Sequence, residues 1–344
     1  MRRLLRHGLL LDERGGHMGS SVLMQALDVN PEMMRWLLAQ GIPLDTLDDA
    51  GNNVLDEALQ RSSRLDVLEV LLQAGLRPTP DGAASVITLE AARLLLNYGL
   101  ELQQLHFDVR SRLLHCRTDQ RPSVDEKTFR QGRDRRFGRS NPERHTEPFW
   151  LDMVDSRAPA YRARDLYAAE DHDGPIWCYE RFGCSVNALP DGRVVEIGGE
   201  HEDFYDSDFC IYNDVLVHDG QGGRVLYGYP ADVFVPTDFH SATWSDGYLY
   251  VIGGLGYPGQ RRVNLTSVYR LDCDTFQMER VHTQGRGPGW IYGHQVRLLE
   301  PDLLEITGGM TLLEGPDHWQ ENRQAFLLDL KDSCWYPAGA SAGN

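Results

Sequence analysis

Apolar residues recur at helical spacing as far as about residue 105 and at alternate positions beyond residue 181, so the chain predicts helices first and strands afterwards. In the first part, Val22, Leu23 and Ala26 of SSVLMQAL (20–27) fall on Val54, Leu55 and Ala58 of NNVLDEAL (52–59), an offset of 32. The apolar segments that follow, MMRWLLAQG to Gly41 and VLEVLLQAG to Gly75, lie 34 apart; LLRHG ends at Gly8, 33 before Gly41, and a further unit ends at Gly99, only 24 after Gly75. Leucines at i, i+3 and i+4 make one buried face, Ala26 and Ala58 permit close helix approach, and a glycine after each run suits a left-handed helix cap.

The second part repeats at a longer period. Gly-Gly pairs stand at 198–199, 253–254 and 308–309, each step being 55, and each follows an apolar strand: RVVEI, YLYVI and LLEIT. A short strand upstream carries His240 in FHSATW and His294 in YGHQVRL, with Cys184 of FGCSVNAL in the equivalent place. Alternating strands downstream end at Asp219, Asp272 and Asp329. The pattern predicts three small antiparallel sheets, each with a glycine corner where a side chain would clash. His240 and His294 are expected to be buried hydrogen-bonding residues rather than metal ligands.

Between the two parts, residues 110–144 carry eleven Lys or Arg against five acids, a local +6 that includes Arg130, Arg133, Arg135, Arg136 and Arg139. With Phe129 and Phe137 as the aromatics there and no nucleic-acid motif, the segment predicts a solvated linker or a basic strap across an acidic domain. Residues 147–169 then predict two short amphipathic helices split at Pro159 that dock through Phe149, Trp150, Met153 and Tyr167.

The N-terminal motifs DDAGNNVLDEA and EVLLQAG resemble the ankyrin repeat, and the strand, Gly-Gly, loop and aromatic strand of 182–337 resemble the kelch repeat. The family's Thr-Pro-Leu-His is absent and Met1 falls inside a unit's second helix, so two full repeats with degenerate caps are expected, and an upstream segment is expected to be missing or replaced by an unusual cap. The resemblances imply an α+β multidomain chain: an α-solenoid of ankyrin-like repeats over 1–105, a basic linker with docking helices over 106–181, three kelch-like blades of a β-propeller over 182–337, and a disordered tail over 338–344. Three blades leave sheet faces open. Either a homodimer completes a six-bladed ring, or a monomer covers its open side with the middle segment; the need to pack Phe149, Trp150 and Met153 favours the latter.

The net charge of −17 argues against the whole chain coating nucleic acid or an acidic membrane and fits a basic partner. Six scattered cysteines without a C-x-x-C pair, together with the lack of an apolar span of about 18 residues, predict a cytoplasmic protein.

Chemistry concentrates after the first Gly-Gly pair, in GGEHEDFYDSDFC. His201, Asp203, Asp206 and Asp208 are the residues there that could ligate a metal, but one histidine is a poor zinc set and the glycine and glutamate of a calcium loop are missing, so no metal or other cofactor is expected. The equivalent loops of the three repeats bring His201, Glu202, Asp203, Tyr205, Tyr257, Arg261, Arg262, His318 and Trp319 toward one face, the composition of a recognition surface. The expectation is a non-catalytic adaptor or immunity-type protein that binds another protein through the ankyrin surface and the kelch loops. Two other readings are an oxidase or sugar-processing enzyme on a kelch scaffold, for which no phosphate loop, G-x-S-x-G or H-E-x-x-H gives support, and nucleic-acid binding through residues 110–144.

Overall fold

The computed structural model describes residue 15 and residues 19–28, 30–61, 64–117, 119–169, 174–202, 209–315 and 317–338. The chain forms two compact units that divide after Leu113.

The first unit is helical. Helices span Val22–Gln25, Pro31–Leu38, Val54–Gln60, Leu65–Gln73, Pro80–Ala84, Leu89–Asn97 and Phe107–Leu113. Several start on a side-chain cap: Asn30 accepts from the N–H of Met33 at 2.9 Å, Thr79 from Gly82 at 3.1 Å and Thr88 from Ala91 at 3.3 Å. Gly41, Gly75 and Gly99 end three of them at φ 78°, 94° and 89°, where glycine lacks the steric penalty of other residues. Asp56 is fully buried yet satisfied, its carboxylate accepting from the N–H of Asn53 and of Thr79, each at 2.9 Å. It thereby ties one helix pair to the next.

Among the described residues the second unit adds helices Glu126–Gly132, Pro148–Ser156 and Ala160–Leu166 to nineteen short strands. Strands β1 (Glu143–His145), β2 (Ser185–Ala188), β3 (Val194–Ile197), β6 (Val215–His218) and β7 (Arg224–Gly228) form a sheet in the order β1-β7-β6-β3-β2, while β4 (Glu200–His201) and β5 (Cys210–Ile211) make a separate ribbon. Strands β8 (Ser241–Ser245), β9 (Tyr248–Ile252), β10 (Val268–Asp272) and β11 (Met278–Arg280) form the second sheet. The third, β12-β19-β18-β15-β14, uses β12 (Gln284–Gly285), β14 (Gln295–Glu300), β15 (Leu303–Thr307), β18 (Phe326–Asp329) and β19 (Cys334–Pro337). Strands β13 (Ile291–Tyr292), β16 (Met310–Glu314) and β17 (His318–Glu321) form a small sheet beside it.

Strand alternation builds the core. Leu249 and Val251 of β9 pack with Val195, Ile197, Val215 and Leu271, whereas Tyr250 and Ile252 point the other way, to Leu304, Ile306, Phe326 and Trp335. In the segment before the first sheet, Phe149, Trp150 and Met153 are buried, and Trp150 stacks on Trp177 at 5.2 Å. β1 extends that sheet at β7, Glu143 opposite Gly228.

Two expectations are corrected. The N-terminal helices do not form the regular ankyrin solenoid implied by a period near 33, because the first described helix is four residues long and the last pair is followed by a single turn at Leu102–Gln104 and one further helix. The C-terminal strands do not form a kelch propeller: they make separate sheets of five, four, five, three and two strands, none closed on itself. Gly-Gly corners at a fixed period specify local strand reversals, whereas closure depends on what each sheet edge meets. Here the first sheet recruits β1 from the middle segment, and the third is extended by β12 running parallel to β19.

Several arginines of the basic segment are bonded within the second unit. Arg133 is buried and donates to the carbonyl of Gly174 at 3.1 Å, Arg135 donates to the carbonyl of Ile211, and Arg136 bonds Glu147 and Glu143 at 2.6 and 3.0 Å. Arg130 pairs with Glu126 on its own helix at 2.8 Å, and the backbone N–H of Arg139 donates to Glu143 at 2.6 Å. Arg117, Arg130, Arg133 and Arg136 thus pair with carboxylates, while Arg135 bonds a backbone carbonyl.

Candidate functional site

The glycine corners hold neighbouring sheets together through the backbone. Gly199 donates to the carbonyl of Thr237 and Gly254 to that of Ile291, each at 2.8 Å, and a Cβ on Gly253 would collide with the Ile291 carbonyl. Below them, two buried histidines repeat one contact: His240 Nε2 lies 3.0 Å from Ser185 Oγ and His294 Nε2 lies 2.9 Å from Ser241 Oγ. Burial, with His294 adding repulsion, lowers the pKa of His240 to about 3, and burial alone lowers that of His294 to about 4.

A second chain of bonds runs through left-handed residues. Gly183, Phe239 and Gly293 occupy equivalent places with φ 61°, 50° and 64°; Phe239 donates to the Gly183 carbonyl at 2.7 Å and accepts from Gly293 at 2.9 Å. Two of the three slots hold glycine, for which this conformation is open. In the third a phenylalanine is held in a region that disfavours it, at a cost of about 1–3 kcal/mol. Its ring is 37 % exposed and meets the ring of Tyr292 at 6.4 Å.

Tyr292 continues edge-on to Trp319 at 4.8 Å, and the guanidinium of Arg261 lies 5.2 Å from the Trp319 ring centre while pairing with Asp317 at 2.6 Å. Arg261 also donates to the carbonyl of Gly256 at 3.0 Å, so its position is set from several sides. Phe182, next to Gly183 and 63 % exposed, exchanges two backbone bonds with Glu200 at 2.8 and 2.9 Å. Phe182, Phe239 and the pair Tyr292 and Trp319 thus come from three successive repeats on a scaffold of rigid corners.

Two carboxyls lie within the same loops. Asp238, fully buried, accepts from the N–H of Gly256 at 2.7 Å; burial raises its pKa, with the Gly256 bond and Arg261 opposing. Burial, then Asp238 and Glu202, raises that of Glu200.

Of the residues predicted for this face, Arg261 and Trp319 touch directly. Tyr257 accepts from the N–H of Ile211 at 2.8 Å and meets Phe209 at 5.8 Å, tying its loop to the β4–β5 ribbon in which His201 is buried opposite Cys210. Arg262 folds back on the carbonyls of Gly259 and Arg261 at 3.0 and 2.8 Å, and His318 pairs with Glu314 at 3.2 Å. Glu202 is exposed. Asp203, Tyr205, Asp206 and Asp208 lie outside the described residues. Among the described residues no three His, Cys, Asp or Glu are arranged to hold a metal ion.

Sequence reasoning passed over Phe182, Phe239, Tyr292 and Asp238. The signal was present in the alignment of GCSV (183–186), FHSA (239–242) and GHQV (293–296), where Phe239 alone replaces a glycine. It also passed over a buried network: Arg181 forms a two-point pair with Asp214, one arm at 3.0 Å, Trp177 donates to Asp214 at 3.1 Å, and Tyr179 and His218 both bond Glu196, at 3.0 and 3.1 Å. Burial would lower the pKa of Arg181, but Asp214 outweighs it and the net shift is upward.

No family model matches the chain, and no curated protein matches it. Solved structures that match include that of YjhT, at 16% identity and a TM-score of 0.34 over 48% of this chain. The match covers 53% of YjhT, about half its length. Among the described residues no helix is long and apolar enough to cross a membrane.

Proposed function

We propose that this chain is a non-catalytic protein-binding module of the cytoplasm that engages a basic protein through the face built by Phe182, Phe239, Tyr292, Trp319 and Arg261. The observation that carries this reading is Phe239. A strained backbone supports an exposed ring at the one slot where the other repeats hold glycine, and such strain persists where surrounding structure and use sustain it. Aromatic rings and a fixed arginine on rigid loops match the composition of interface hot spots.

Charge favours a basic partner. The chain carries −17, Arg117, Arg130, Arg133 and Arg136 pair with carboxylates, and Glu200 and Asp317 bond Phe182 and Arg261 of the aromatic face. The groups that would serve proton transfer are placed otherwise: Asp238 is fully buried, and His240 and His294 are buried against serines.

The test is affinity capture from host lysate with the unaltered chain and with Phe239→Gly, each first checked for an unchanged thermal transition. The expected result is one stoichiometric basic protein retained by the unaltered chain and lost from the variant. A partner held equally by both would remove this face from the interface.

A further inference from the structure

The helical unit carries an apolar slot of about 270 Å³ between the starts of the helices Leu65–Gln73 and Leu89–Asn97. Leu59, Leu68, Val86 and Ala91 line it and are buried, whereas Leu65 and Ile87 line it and remain 44 % and 66 % exposed. Pockets that hold whole ligands start at about 300 Å³, so this one suits a single large side chain.

The fold makes little use of an aliphatic residue at 87. Ile87 directly precedes Thr88, which caps the helix Leu89–Asn97 by accepting from the N–H of Ala91 at 3.3 Å. An apolar residue in that place often packs on the fourth residue of the helix, here Ala92, whose small side chain is already fully buried. Matching Gly75 to Gly99 puts Ser63 at the same place in the preceding repeat. The Ile87 carbonyl accepts from Arg112 at 3.1 Å, so the exposed side chain stands on a backbone held from the next helix. Exposed apolar residues gathered at one pocket mark interaction sites.

Charge narrows the occupant. Of the two charged residues in the lining, Arg64 is held by Asp66 through a two-point pair at 3.1 and 2.5 Å, whereas Glu90 has no partner among the described residues. Residues 15–113 carry thirteen acids against seven arginines, a net −6. An occupant therefore enters a negative surround, and a second copy of this unit would bring the same charge with it.

We infer that this slot docks a basic segment of another protein, which buries one side chain of leucine or phenylalanine size between Leu65 and Ile87 and sets flanking Lys or Arg against Glu90. An apolar anchor in a pocket supplies affinity, and charge of opposite sign selects the segment. The inference does not depend on the aromatic face, whose residues belong to the other unit.

The experiment measures binding of the full chain, by fluorescence anisotropy, to three libraries of acetylated, amidated peptides that are otherwise random: a central Phe between lysines, a central Ser between lysines, and a central Phe between glutamates. Saturable binders are expected from the first library alone. Ile87→Asp should weaken them at least tenfold without moving the thermal transition, Leu65→Asp should do the same, Glu90→Lys should weaken them severalfold, and Phe239→Gly should leave them unchanged. Absence of saturable binders from the first library, equal binding by the Ser or the glutamate library, insensitivity to both Ile87→Asp and Leu65→Asp, or loss in Phe239→Gly would each overturn the inference. So would light scattering that shows a dimer of this chain which Ile87→Asp dissociates, since the slot would then belong to a second copy.

Discussion

His240 bonds Ser185 across two sheets at 3.0 Å, with its imidazole buried and neutral. His294 repeats the bond to Ser241 at 2.9 Å. Both pKa values, about 3 and about 4, lie below the usual histidine value near 6.5 that the unfolded chain keeps. Between those limits the unfolded state binds more protons, so stability falls as pH falls. From pH 8 to pH 5 each histidine should remove roughly 2 kcal/mol. Asp238 and Glu200, shifted upward, act in the opposite sense as their own range is reached. Thermal unfolding across this window should show the decline, and His294→Gln should make it about half as steep; an unchanged slope would deny the burial of this imidazole.

Phe239 gives a prediction in which two truncations diverge. Phe239→Gly relieves the left-handed strain while losing a half-exposed ring, so its stability should stay within about 1 kcal/mol of the unaltered chain. Phe239→Ala keeps the strain and loses the ring, and should be the less stable of the two. Urea unfolding distinguishes them, and the reverse order would show that the ring contributes packing beyond its contact with Tyr292.

Asp214 neutralises a buried guanidinium. Asp214→Ala leaves Arg181 charged among Trp177 and Tyr212, and should cost about 3–5 kcal/mol. Adding Arg181→Met should recover much of that loss, since an apolar side chain carries no charge to desolvate. A double variant no more stable than Asp214→Ala would mean that the loss arises from Trp177, whose indole also bonds Asp214.

Glycine corners separate strain from collision. Gly247 has φ 84° with open space around a new Cβ, so Gly247→Ala should cost about 1–2 kcal/mol. Gly253 has φ 69°, and its Cβ would strike the Ile291 carbonyl, so Gly253→Ala should cost distinctly more. Equal losses in chemical denaturation would show that the neighbouring sheet yields at no expense.

The sequence by itself determined the local elements. Period and glycine position placed the helix pairs ending at Gly75 and Gly99 and the strand reversals at 198–199, 253–254 and 308–309, because these depend on residues within a few positions of one another. It also singled out Arg261 and Trp319, whose side chains touch. Tertiary structure alone decided how these elements combine. No local pattern could show that β1 would pair with β7, that β12 would run parallel to β19, or that the sheets would remain open. The same holds for Arg117, Arg133, Arg135 and Arg136, which read as part of a basic patch along the chain and bond carbonyls and carboxylates elsewhere in the unit. Phe239 stands between the two cases: its replacement of glycine was legible, but that its ring would project beside Tyr292 depended on a backbone held by Gly183 and Gly293 from two other repeats.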